Sequence, residues 1–267
     1  MDIAGKVFVV TGAGNGIGRE TTLQLLLKGA SVAGVDLNEA GLAETVELAA
    51  AGNRLSTHAV NITDRDAVQA LPAAVAELHG AVDGIVNIAG VIQKFVKVID
   101  LPYEEIEKVM NVNFWGVINM CKAFLPTLVE RPTAAILNVS SMGSYAPVPG
   151  QAVYGASKAA VTLLTEALYA ELMGTNVQVT TIYPGAIGTN IAANSGVTME
   201  GMEEKAAKST RKMTSPQEAG RVIVDAIEKG KFRATIGSDA ATMDRLSRLN
   251  PKFATELIAK QMADLLN

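Results

Sequence analysis

Seven short runs rich in β-branched residues, most of them followed by a longer stretch with helical spacing of its apolar side chains, limit what this chain can fold into more than any other feature. The runs are KVFVVT at 6–11, SVAGV at 31–35, LSTHAV at 55–60, VDGIVNIAG at 82–90, AAILNVS at 134–140, VQVTTIYP at 177–184 and FRATIG at 232–237. Helical patterns fill 17–28, 39–51, 64–79, 102–129 and 152–173. Another helix is expected from Ser215, a residue suited to the N-cap, with Pro216 at the first helical position, and a last helical segment runs to about 265. Alternating strands and helices argue for βαβ units. The expectation is an α/β chain with a doubly wound, mostly parallel, seven-stranded sheet and helices on both faces.

Composition removes several function classes. A net charge of −4 and a pI near 5.3 disfavour nucleic acid as a partner, which would call for clustered lysine and arginine. Cys121 is the single cysteine, no basic-then-apolar leader opens MDIAGKVFVV, and the cytoplasm is the expected location. Only two histidines, His58 and His79, are present, so a metal site is not expected. The lack of a Gly-x-Ser-x-Gly elbow argues against a serine hydrolase. No uninterrupted apolar run reaches the roughly 18 to 20 residues that span a bilayer.

TGAGNGIG, Thr11 to Gly18, joins the first strand to the first helix. Gly12, Gly16 and Gly18 give the spacing Gly-x-x-x-Gly-x-Gly, with Asn15 and Ile17 between them. Backbone amides at a helix N-terminus suit a pyrophosphate, and glycines let it approach closely. Asp36 ends the second strand, where a carboxylate accepts hydrogen bonds from adenosine ribose hydroxyls and repels a 2′-phosphate. Neither Asn15 nor Leu37 supplies a rescuing positive charge, so NAD is the expected cofactor.

Tyr154 and Lys158, in YGASK, stand four apart and share one helix face, where a phenol and an ammonium can cooperate in proton transfer. With the glycine loop come NIAG at 87–90, NFWG at 113–116, Ser140–Ser141 and YPGAIGT at 183–189. In this order, over nearly the whole chain, the sequence resembles the short-chain dehydrogenase/reductase family. Ser141 lies thirteen residues before Tyr154, the family's interval, which selects it over Ser140.

The resemblance implies a Rossmann-type fold and a catalytic set of Asn113, Ser141, Tyr154 and Lys158. Tyr154 would be the general base in alcohol oxidation and the general acid in ketone reduction. Ser141 would bind the reacting oxygen, Lys158 the nicotinamide-ribose hydroxyls, and Asn113 a water that relays the proton. A free phenol has a pKa of about 10, and a unit charge about 4 Å away at an effective dielectric of about 20 supplies on the order of 4 kcal/mol, enough to bring it toward neutrality. The resemblance also places Asn61 and Ile62 at the adenine, Asn87, Ala89 and Gly90 beside the adenosine, and Pro184, Gly185, Ile187 and Thr189 at the nicotinamide end. Asn61 stands where the family usually has aspartate, and Ile88 where it has a second asparagine.

The reading is a single domain over 1–267, its first 90 residues mainly a dinucleotide-binding half. It is an NAD-dependent oxidoreductase acting on a secondary alcohol or ketone, with a non-catalytic nucleotide-binding regulator as the alternative. Phe95, Met142, Tyr145, Val148, Ile191 and Met199 are expected to wall an apolar or alicyclic substrate. Residues 188–213, rich in glycine and apolar side chains, are expected to form a substrate lid. The helical segment 239–267 is expected to pack on protein rather than on a membrane surface. A homotetramer is expected from the family.

Overall fold

The computed structural model describes residues 1–197 and 213–262. In chain order the elements are β1 (Val7–Thr11), α1 (Gly16–Leu27), β2 (Ser31–Asp36), α2 (Glu39–Ala49), β3 (Leu55–Ala59), α3 (Arg65–His79) and β4 (Gly84–Asn87). There follow α4 (Tyr103–Met110), α5 (Gly116–Leu128), β5 (Ala134–Val139), α6 (Ala152–Glu171), β6 (Val177–Pro184) and the short α7 (Ile191–Asn194). After the undescribed stretch come α8 (Pro216–Glu228), β7 (Arg233–Ile236), α9 (Ser238–Leu249) and α10 (Pro251–Gln261).

The seven strands form one sheet in the order β3-β2-β1-β4-β5-β6-β7, every neighbouring pair parallel. Because successive side chains along a strand point to opposite faces, Val7 and Val9 enter one core and Phe8 and Val10 the other. On the first face Ile85 and Ile136 meet Leu71 and Val75 of α3, Phe124 of α5 and Val161 of α6. On the second, Val86 and Leu137 meet Leu25 of α1 and Ile223 and Ile227 of α8. Strands buried on both sides need apolar residues at consecutive positions, which is why the runs in the sequence are nearly unbroken.

The chain runs from β1 through α1 to one side of the sheet and from β3 through α3 back to the other side of β1. A crevice therefore opens between the carboxyl ends of β1 and β4, the position such sheets use for ligands.

Two helical expectations change. The helix foreseen over 102–129 is interrupted by a π turn at Asn111–Trp115, in which each hydrogen bond spans one residue more than in an α-helix. The C-terminal segment breaks into α9 and α10 at Asn250–Pro251, where the Asn250 side chain accepts from Phe253 N at 3.0 Å. A third, small core joins Met243, Ala254 and Ile258 of these helices to Ala146, in the turn after β5. Ser215 caps α8 through Glu218 N at 3.2 Å, with Pro216 next to it. Among the described residues no helix is long and apolar enough to cross a membrane, and no group of side chains is suited to hold a metal ion.

Candidate active site

A cleft of about 440 Å³ lies in the crevice. Of the residues that the sequence assigns to a dinucleotide, Gly12, Asn15, Gly16, Ile17, Gly18, Asp36, Leu37, Asn61, Ile62, Ala89, Gly90 and Thr189 line it. The strand-to-helix loop is shaped by crowding. Gly12 has φ +75°, a conformation that side chains disfavour, and a Cβ on Gly18 would sit 2.0 Å from the Gly12 carbonyl oxygen. Asn15 at the N-cap of α1 makes no side-chain bond to the helix, and the first turn holds no acidic residue. The leading N–H groups of α1 are thus left for an anion from outside.

Asp36 sits at the rim, its two carboxylate oxygens accepting from Gly14 N at 2.9 Å and Asn38 N at 3.0 Å. Each oxygen has lone-pair capacity left for a ribose hydroxyl. The nearby cation Arg19 is held away from solvent duty: its guanidinium donates to the Gly14 and Gly41 carbonyls, to Thr45 and to Glu44. Asn61 is less available than its sequence position suggests, because its Oδ1 already accepts from both Thr63 N and Thr63 Oγ1.

Gly90 connects the cleft to the second cluster of predicted residues. A Cβ there would lie 3.2 Å from both Asn113 Oδ1 and Lys158 Nζ, so these two groups flank the Gly90 backbone. Lys158 is 3% exposed and donates to the Val139 carbonyl at 3.0 Å. Its other two ammonium protons have no partner among the described residues, and burial brings its pKa down to about 8. A buried ammonium short of acceptors is suited to receive hydroxyls or another polar ligand. The Lys158 nitrogen is 6.0 Å from the centre of the Tyr154 ring.

Ser141 ends β5's exit and accepts from Gly143 N at 3.0 Å. Gly143 borders both Ser141 and Tyr154: a Cβ on it would meet Ser141 Oγ at 3.4 Å and Tyr154 Cε1 at 3.6 Å. Burial raises the pKa of the Tyr154 phenol, and its hydrogen bond with Ser141 pulls in the opposite direction. Burial, and not the lowering by Lys158 expected from the sequence, therefore dominates at this phenol. Asn113, in the π turn and fully buried, uses its side chain otherwise: Oδ1 accepts from Val91 N, and Nδ2 donates to Val91 O and Ser157 Oγ.

Other predicted residues lie apart. The Asn87 carboxamide turns into the sheet and donates to Asn138 Oδ1 at 2.8 Å. Gly185 packs so tightly on Asp239 that a Cβ would lie 2.3 Å from its carboxylate, and Ile187 bridges to Thr214. Pro184, at the end of β6, does not line the cleft. Met142, Tyr145 and Val148 pack against the small core of α9 and α10, and the Tyr145 hydroxyl donates to the Ala240 carbonyl. Ile191, assigned to the substrate, lines the dinucleotide cleft instead, beside Asn194. Phe95 is partly buried in the loop after β4, and Met199 lies outside the described residues. Sequence reasoning passed over Val35, Val60 and Val112, apolar cleft residues with no motif to mark them.

The sequence profile of the short chain dehydrogenase family matches residues 6–200. The Mycobacterium tuberculosis protein SadH is 37% identical over 265 residues, covering 97% of this chain and 96% of that one. The 3-oxoacyl-[acyl-carrier-protein] reductase FabG of Thermotoga maritima is 32% identical, over 84% of this chain and 91% of its own. Among solved structures, a short chain dehydrogenase/reductase from Burkholderia phymatum in complex with NAD superposes with a TM-score of 0.86 at 26% identity, covering 95% of this chain and 96% of that one. A serine dehydrogenase complexed with NADP+ gives 0.78 at 28% identity, covering 86% and 93%. The chain belongs to the short-chain dehydrogenase/reductase family. It is an oxidoreductase on a fold that binds a nicotinamide cofactor.

Proposed function

We propose that this chain is an NAD-preferring dehydrogenase/reductase acting on a secondary alcohol or the matching ketone. The observation that carries the reading is the cluster of Ser141, Tyr154 and Lys158, whose ammonium flanks Gly90 of the cleft. The residues suit a dinucleotide: the uncapped first turn of α1 would hold its pyrophosphate, Asp36 its adenosine ribose, and the unpartnered protons of Lys158 its nicotinamide ribose. When bound, that cofactor supplies or accepts the hydride.

The chain's own task is then the proton. Tyr154 gives its phenolic proton to the carbonyl oxygen during reduction and takes it back during oxidation. Ser141 donates to the same oxygen and fixes its place. Lys158 stabilises the phenolate form once the proton has left. Asn113, with both ends of its carboxamide bound, ties the Val91 backbone to α6 and keeps Gly90 against Lys158.

Support for NAD over NADP is local, since similar folds bind both. The Asp36 carboxylate would face a 2′-phosphate, and Arg19, already engaged by Glu44 and two carbonyls, is not free to offset it. A carbonyl or carbinol substrate accords with two similar proteins named as reductases, one of 3-oxoacyl-[acyl-carrier-protein] and one of levodione. The proposal includes one domain, a cytoplasmic location and a homotetramer. A panel of secondary alcohols with NAD, read as NADH absorbance, tests the activity; no NADH from any member, with ketones and NADH equally inert, rejects it.

A further inference from the structure

The helix that carries Tyr154 and Lys158 does not cap itself. Its N-cap residue, Gln151, makes no side-chain bond to the first turn. The leading N–H groups of an α-helix have no partner inside the helix, and when buried they need one. Here it comes from 60 residues away: the Gln93 Oε1 accepts from Val153 N and from Tyr154 N, both at 3.0 Å. Gln93 Nε2 donates to the Gly150 carbonyl at 3.1 Å, and the Gln93 backbone carbonyl accepts from Gln151 Nε2 at 2.7 Å. Gln93 is 0% exposed.

We propose that Gln93 is a positioning residue for the proposed reaction, setting the place of the Tyr154 phenol by capping the catalytic helix at the tyrosine's own backbone nitrogen. The inference rests on the reading of Tyr154 as the proton donor. A glutamine matches this task because its carbonyl oxygen offers two lone pairs, one for each N–H, while its amide nitrogen donates onward. A methionine of similar length offers neither, and each buried N–H would be left unpaired.

The neighbours of Gln93 give the cap a wider connection. Val91 is bound at both its N–H and its carbonyl by Asn113, and Ile92 N donates to Ser195 Oγ at 3.0 Å. Three consecutive residues thus tie the strand β4 exit to the π turn, to the segment after α7, and to the start of α6. The phenol is located relative to the cofactor cleft by this loop as well as by its own helix.

The test uses the full-length protein labelled with ¹³C at the tyrosine ζ-carbon, in which Tyr154→Phe identifies the Tyr154 signal by its loss. In Gln93→Met the Tyr154 resonance is expected to move more than those of the other four tyrosines. Gln93→Glu keeps an acceptor oxygen for the Val153 and Tyr154 N–H groups and adds a charge that the helix N-terminus favours, while it loses the donor to the Gly150 carbonyl, so it should keep the cap and shift the Tyr154 signal less than Gln93→Met does. If Gln93→Met does not fold, the Gln93→Glu spectrum decides. A Tyr154 resonance unchanged in every folded variant overturns the proposal.

Kinetics with cyclohexanol and 2-octanol as probes supply a second readout. Gln93→Met should lower kcat by roughly 10- to 100-fold with KM for NAD near its original value, as misplacement of an acid/base group does, and Gln93→Glu should recover part of the loss. Equal losses in both variants, with KM for NAD raised, would mean a general structural role and overturn the proposal. Normal turnover in Tyr154→Phe would instead remove the catalytic reading of the tyrosine, leaving the spectroscopic result on Gln93 to stand or fall separately.

Discussion

Asn194 Nδ2 donates to Asn15 Oδ1 at 3.0 Å, closing a contact between residues 179 positions apart. One belongs to the loop that would hold the pyrophosphate and the other to α7, and both line the cleft. The bond thus links two parts of the cleft lining, and on the proposed function it would hold α7 beside a bound dinucleotide. The same segment is anchored below by Ser195, whose backbone carbonyl accepts from Lys108 Nζ at 3.0 Å and whose hydroxyl accepts from Ile92 N.

Asn194→Ala should therefore speed NADH release while sparing the fold. An exposed hydrogen bond contributes about 0.5–1.5 kcal/mol, so the dissociation rate should rise about 2- to 10-fold. Stopped-flow loss of NADH fluorescence measures it, and an unaltered rate would mean that the Asn194–Asn15 bond has no effect on the cofactor.

Cofactor choice should respond to two rim residues. Asp36→Ala combined with Leu37→Arg is expected to narrow or reverse a preference of at least about tenfold in kcat/KM for NAD over NADP, equivalent to about 1.4 kcal/mol. Equal use of both cofactors by the unaltered protein would refute the assignment of Asp36.

Lys158 carries a cost to the ligand-free fold. Its pKa falls from 10.5 unfolded to about 8 folded. The unfolded chain takes up the proton first, so stability is highest above the unfolded value and declines as the pH drops through 10.5 toward 8, remaining reduced below that. Lys158→Met should accordingly raise the Tm of the ligand-free protein at pH 7, an effect shrinking toward pH 10, while weakening NADH binding. Calorimetry with and without NADH separates the two; a lower Tm in the variant would contradict the assigned burial cost.

The two histidines share one hydroxyl. Ser56 Oγ lies 3.1 Å from His58 Nε2 and 2.9 Å from His79 Nε2. Burial lowers the pKa of both, and the neighbouring His79 adds to the lowering at His58. Each has a folded pKa below its unfolded value of 6.5, so the stability is complete above 6.5 and is lost as the pH falls through that value toward the folded ones. The Tm should drop between about pH 7 and 5, and His58→Asn should flatten that slope. A slope unchanged by the substitution would assign the acid sensitivity elsewhere. The sequence gives no sign of this shared hydroxyl, since the meeting of His79 with Ser56 depends on how α3 returns beside β3.

What could be read from the sequence was what local periodicity and spacing encode. Strands buried on both faces declared themselves as apolar runs, and the helices on them by 3.6-residue periodicity, so the sheet and its crossovers were legible. The π turn was not, because Asn111–Trp115 keeps the apolar rhythm of the helices on either side. The glycine loop, Asp36, and the Tyr154 and Lys158 pair were legible because their spacing is fixed by one turn or one helix. Asn87 misled: it stands directly beside Asn138 in the register of β4 on β5, and that pairing turns its amide into the sheet. Gln93 gave no signal, since a cap supplied from another part of the chain leaves no pattern near the helix it serves.

The small core of α9 and α10 has a consequence for how such a protein can change over generations. It rests on Met142, Tyr145 and Val148, in the turn between Ser141 and Tyr154, while the dinucleotide cleft is lined from the ends of β1 to β4, from Val112 of the π turn and from Thr189, Ile191 and Asn194. Drift in the last helices can thus remodel the turn between Ser141 and Tyr154 without altering the nucleotide loop. On the proposed function, cofactor and substrate preferences are inherited largely through separate stretches of sequence, and selection can act on one while the other is held fixed.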